Sequence, residues 1–67
     1  MTNVPKVRRH IVALINTELQ TRIYTRDREA RGLAAGDITE EEFQDYQDDV
    51  NFEKEVLAWF NSVPEEN

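Results

Sequence analysis

Four carboxylates have the spacing that chemistry would need. Glu42, Asp45, Asp49 and Glu53 recur at steps of three and four, which sets them on one face of a helix. Such a row serves metal binding or acid and base work when it converges in a dry pocket with a histidine three or four residues away. No histidine follows these acids, and the stretch from Asp37 to Asp49 lacks the alternating oxygen ligands and central glycine of a calcium loop. The row therefore reads as a solvated acidic face. His10 is the one histidine and Ser62 the one serine, so a nucleophilic triad would have to join the two ends of the chain without an elbow motif or an oxyanion loop. Gly32 and Gly36, the two glycines, fall at helix punctuation and leave no phosphate-cradling loop. With no cysteine there is no thiolate ligand, thiol nucleophile or disulfide. The expectation is a protein that is not an enzyme and uses no metal or cofactor.

The bases offer a different chemistry. Lys6, Arg8, Arg9 and His10 form one cluster, and Arg22, Arg26, Arg28 and Arg31 form another. Several such groups together release counterions from phosphates, so Lys6, Arg8, Arg9, Arg22 and Arg26 are the candidates for holding RNA or DNA. Against this, Glu18, Asp27 and Glu29 interrupt the clusters and the pI is near 4.6, whereas dedicated nucleic-acid binders are usually basic overall. Pairing with acids of the same helix or the next is the favoured reading for these arginines. The charge is divided along the chain: residues 1 to 36 carry net +4 and residues 37 to 67 net −10, giving the overall −6. That asymmetry bears on steering and partner choice rather than on fold.

Two helices must position these groups. Pro5 suits a first helical turn, with Thr2 or Asn3 as its cap. From there Val7, Ile11, Leu14, Ile15, Leu19 and Ile23 follow the period of one helical face. This predicts a first helix over about 5–34, with fraying or a break expected near Gly32, since glycine costs about 1 kcal/mol relative to alanine. Residues 35–39 are the turn, where Gly36 can take the left-handed conformation that closes a helix. Thr39 and Glu42 then have capping-box spacing, Ile38 can staple onto Phe43, and three glutamates complement the positive end of the helix dipole. A second helix is predicted over about 40–62.

That second helix is apolar on two sides. Phe43, Tyr46, Val50, Leu57 and Phe60 make one stripe, interrupted by Glu53, and Phe52, Val56, Trp59 and Val63 make another. Either one helix from Glu40 to Ser62 meets two neighbours, or the chain breaks near 48–51 and a short third helix re-aims Trp59. Pro64 ends the helix and residues 64–67 read as a loose acidic tail.

The fold class is all-α: an antiparallel helical hairpin, single-domain, dimerising into a helical bundle. A core of this size supplies no more than about 3–5 kcal/mol alone, and the second stripe needs cover. A second copy or another protein is the expected partner. No apolar run approaches the roughly 18 residues of a membrane span, and no signal peptide is recognisable. A cytoplasmic protein that makes no membrane contact is expected.

The stretch Ala35-Gly36-Asp37-Ile38-Thr39-Glu40-Glu41-Glu42-Phe43 resembles the turn of short helical hairpin modules, including those named SHOCT, through shared capping chemistry. Size, hairpin layout and acidic tail resemble the dimeric plasmid RNA-binding bundle called ROP, from which no functional residue carries over. The small, acidic, cysteine-free composition is similar to that of phage and mobile-element proteins that inhibit host nucleic-acid enzymes. The leading expectation is therefore an inhibitor or adaptor that docks Glu42, Asp45, Asp49, Phe52, Glu53, Val56 and Trp59 on a nucleic-acid-handling protein, with the acids mimicking DNA. A dimeric nucleic-acid regulator and a structural subunit or assembly chaperone are the alternatives.

Overall fold

The computed structural model describes residues 4–64. It is an antiparallel pair of helices, α1 (Val4–Ala35) and α2 (Glu40–Ser62), joined by one tight turn. The expected caps Thr2 and Asn3 and most of the expected acidic tail lie outside the described residues.

Gly32 does not break α1. The helix runs on to Ala35 and closes on two backbone bonds, Gly36 N–H to the Leu33 carbonyl (3.1 Å) and Asp37 N–H to the Gly32 carbonyl (2.8 Å). This double closure is a Schellman motif, and it needs the residue after the helix to be left-handed. Gly36 supplies that with φ of +80°. Four residues on, α2 opens with the expected capping box. Thr39 Oγ1 accepts from Glu42 N–H at 3.1 Å, and Glu42 Oε1 accepts from Thr39 N–H at 3.3 Å. Ile38, between the two caps, leans over Gly32.

α2 is one unbroken helix from Glu40 to Ser62, so of the two arrangements compatible with the sequence the continuous one is observed. A break at Asp48 to Asn51 would need a capping side chain, but the amides there support the helix instead. Gln44 donates to Asp48 (2.9 Å) and Gln47 to Asn51 (3.1 Å), each one turn on. Val63 ends the helix in extended backbone, as the residue before a proline favours.

The seam between the helices is thin. Leu19 and Val50 are its only buried hydrophobic residues among those described, at 7% and 0% exposure. Ile11, Ile15, Ile23 and Leu33 from α1, with Phe43, Tyr46, Leu57 and Phe60 from α2, are half-buried around them. With extents of 54 × 15 × 10 Å and a radius of gyration of 15.9 Å, the molecule is a rod. A globular chain of this length would have a radius of gyration of about 11 Å.

Two contacts fix the register along the rod. Near the turn, Arg26 reaches Gln47 Oε1 at 3.4 Å. At the open end, Arg8 Nη2 donates to the Phe60 carbonyl at 2.8 Å and to the Val63 carbonyl, with its guanidinium 5.0 Å from the centre of the Phe60 ring.

Candidate protein-binding surface

The second stripe of α2 points away from α1. Phe52 is 62% and Trp59 67% exposed, with Val56 and Val63 half-buried beside them. Trp59 therefore lies outside the core of the hairpin. Phe43 and Phe60, by contrast, are drawn into the seam. At about 100° per residue, the stripe is rotated by about 110° from the direction in which α2 meets α1.

α1 contributes to the same surface. Val7 and Leu14 are 46% and 57% exposed, off the seam rather than on the core face where the sequence pattern placed them. They too are rotated by about 110° from the seam, in the same rotational sense as the α2 stripe. Because the helices run antiparallel, equal rotations in one sense bring both stripes to one broad face of the hairpin. The register contacts set Leu14 level with Val56 and Val7 level with Val63. An apolar patch drawn from both helices therefore covers the open end of this face. The opposite broad face carries Asn16 and Gln20 from α1 with Gln44, Asn51 and Lys54 from α2, all exposed.

Toward the turn the same face becomes acidic. Glu41, Glu42, Asp45, Asp48 and Asp49 are exposed on it, with Glu40 exposed among the amides of the opposite face, and no ion pair joins any of them to a described cation. Five carboxylates on nine residues amount to one charge per about 2.7 Å of helix axis. Duplex DNA carries one per about 1.7 Å. Glu53 departs from the expected acidic row: it is half-buried, on the seam stripe between Val50 and Leu57, so it is withdrawn from the outward surface.

The bases do not gather into a second surface. Arg8 is engaged with the last carbonyls of α2. Arg22 pairs with Glu18 (3.6 Å), Arg26 with Asp27 (3.0 Å) and Arg28 with Glu29 (3.3 Å), all within α1. Lys6 and Arg9 are exposed. Helical spacing turns Arg8, Arg22 and Arg26 toward the seam and Arg9 toward the amide face. Pairing of the arginines with acids of their own helix is thus observed, and pairing across to α2 is not, among the described residues.

No family model, curated protein or solved structure matches this chain. Its surfaces are therefore read from their own chemistry. No helix among the described residues is long and apolar enough to cross a membrane, and no three metal-ligating side chains converge among them. The sequence reading missed the part played by Val7 and Leu14. The signal was available in the angular width of the α1 pattern: these two lie at its margin and Leu19 near its centre.

Proposed function

We propose that this chain is a non-enzymatic protein-interaction hairpin, an inhibitor or adaptor that docks the outward strip of α2 on a target protein in the cytoplasm. Phe52, Val56 and Trp59 supply the apolar grip, and large aromatics dominate such contacts. Glu42, Asp45 and Asp49 steer the strip toward a basic surface. On a target that handles nucleic acid, these carboxylates occupy the phosphate-binding channel in place of DNA.

The observation that carries this reading is the juxtaposition on one face of exposed aromatics and carboxylates that no described cation neutralises. The nucleic-acid-binding alternative draws less support. Arg8 and Arg26 are engaged within the hairpin, Arg22 has only a long, exposed contact with Glu18, and none of the three shares an exposed surface with Arg9.

The test is capture of the tagged protein's partners from its native host, followed by the Asp45→Lys, Asp49→Lys double variant. A stoichiometric protein partner is expected, bound at least about tenfold more weakly by the double variant and with a shallower salt dependence. Unchanged binding would remove the mimicry. Salt-sensitive nucleic acid without a protein partner would move the function to the bases of α1.

A further inference from the structure

The same face carries an inference about its first occupant, which rests on reading it as a protein-binding surface and which a target would displace. The hairpin buries little: its accessible surface is 5327 Å², where a compact monomer of its mass would expose about 4,400 Å². Chains this short need help from association when disulfides and metals are absent, and a second copy is present wherever the chain is made.

We propose that a second copy of this chain covers the face, related by a two-fold axis parallel to the hairpin's long axis. The result is a four-helix bundle with both turns at one end, in which α1 of each copy lies antiparallel over α2 of the other. This operator keeps residues at their level along the rod. Leu14 of one copy then rests on Val56 and Trp59 of the other, and Val7 on Val63. Closer to the turns, Arg22 stands level with the second copy's Asp49, and Arg28 with its Asp45. Both arginines are available for this. The Arg22 contact with Glu18 is long and exposed on both sides, and Arg28, itself exposed, bonds only Glu29, its half-buried sequence neighbour.

Apolar surface therefore meets apolar surface at the open end, and nearer the turns Arg22 and Arg28 meet two of the exposed carboxylates, Asp49 and Asp45. A two-fold axis across the rod would instead set the aromatics of each copy on the carboxylates of the other and strand those charges. The area suffices as well. At 1.5 Å per residue α1 (32 residues) runs about 48 Å and α2 (23 residues) about 35 Å, and strips about 10 Å wide along both present on the order of 800 Å² per copy. A stable interface needs about 800 Å² per partner.

The experiment is light scattering of the full chain up to about 100 μM, with association constants read from the dilution series. Twice the 7.9 kDa monomer mass is expected. Leu14→Asp is expected to weaken association at least about tenfold while helicity by circular dichroism persists, because Leu14 lies off the seam. Gln20→Asp, on the opposite face, leaves the mass unchanged. Asp49→Arg and Arg22→Asp each weaken the dimer, and the two together in one chain restore it. The axis is read by spin labels on Asp37→Cys, a unique thiol in a chain without cysteine. Turns at one end put the labels within about 30 Å, whereas a crossed axis separates them by about the length of the rod. A wild-type monomer at the highest concentration, a Leu14→Asp dimer of undiminished affinity, or widely separated labels would each overturn the proposal. A monomer that still captures its target would sink the dimer and leave the proposed function standing. A dimer without any target would do the reverse.

Discussion

Arg8 shows how far a side chain's role can lie from its sequence context. Beside Arg9 and Lys6 it reads as one of a basic cluster, yet its partners are carbonyls 52 and 55 residues away. The last turn of α2 contains no basic residue, so its terminal carbonyls have no cation of their own. Arg8 reaches across from α1 to two of them, Val63 N–H shares the Phe60 carbonyl at 3.2 Å, and Ser62 Oγ donates to the Trp59 carbonyl at 2.6 Å. A cation there also opposes the negative end of the helix dipole. Hydrogen bonds from a charged donor are worth about 1.5–3 kcal/mol, and Arg8→Ala is expected to destabilise the hairpin by about that amount. For a chain of this size each kcal/mol lowers Tm by about 4–8 °C. Thermal melts of Arg8→Ala and Arg8→Lys check it, with lysine recovering part of the loss because it keeps the charge but not the forked geometry. An unchanged Tm for Arg8→Ala would remove the cap from the account.

At the scale of the elements, the turn was the most legible part of the chain. Gly36, Thr39 and Glu42 are each identified by local chemistry, because caps are made between residues close in sequence. Gly32 was read less well. Its intrinsic preference argues for fraying, but as the residue whose carbonyl accepts from Asp37 N–H it is locked into the Schellman closure. The two glycines should therefore respond oppositely to alanine. A Cβ at Gly32 would sit 3.8–3.9 Å from Glu29 Oε2, Asp37 Cβ and Ile38 Cγ1, ordinary contact distances, and Gly32→Ala is expected to stabilise by about 0.5–1 kcal/mol. At Gly36 the φ of +80° penalises any Cβ, and Gly36→Ala is expected to destabilise by about 1–2 kcal/mol. Urea titrations of both variants settle the signs; the same sign in both would contradict this account of the turn.

For the whole molecule, the decisive quantity is how little two helices can hide from water. A hairpin gives each helix one neighbour, so a helix with two apolar stripes leaves one outside. Exposed Phe52 and Trp59 are the direct result. If a second copy covers them, folding and association are linked and Tm rises with protein concentration by mass action. Melts across a hundredfold dilution should show this rise in the wild type and lose most of it in Leu14→Asp. A Tm independent of concentration would mean that the hairpin stands alone on its thin seam. The division of charge belongs to this scale too. Arg22, Arg26 and Arg28 of α1 find acids on their own helix, whereas the carboxylates in the first half of α2 find no described cation, so the negative field of the molecule is concentrated near the turn.

The sequence by itself determined the two helices, the turn between them, the capping box and the presence of two apolar stripes on α2. These follow from backbone preferences and from periodicity, which act over a few residues. Only the tertiary structure decided which stripe is covered, that α2 continues past Asn51, that Arg8 is spent on the end of the other helix and that Val7 and Leu14 join the α2 stripe on one face. The continuity of α2 is supported by the bonds of Gln44 and Gln47 one turn on; the others depend on the rotation and register of one helix against the other. Contacts between residues far apart in the chain set both, and no local pattern encodes them.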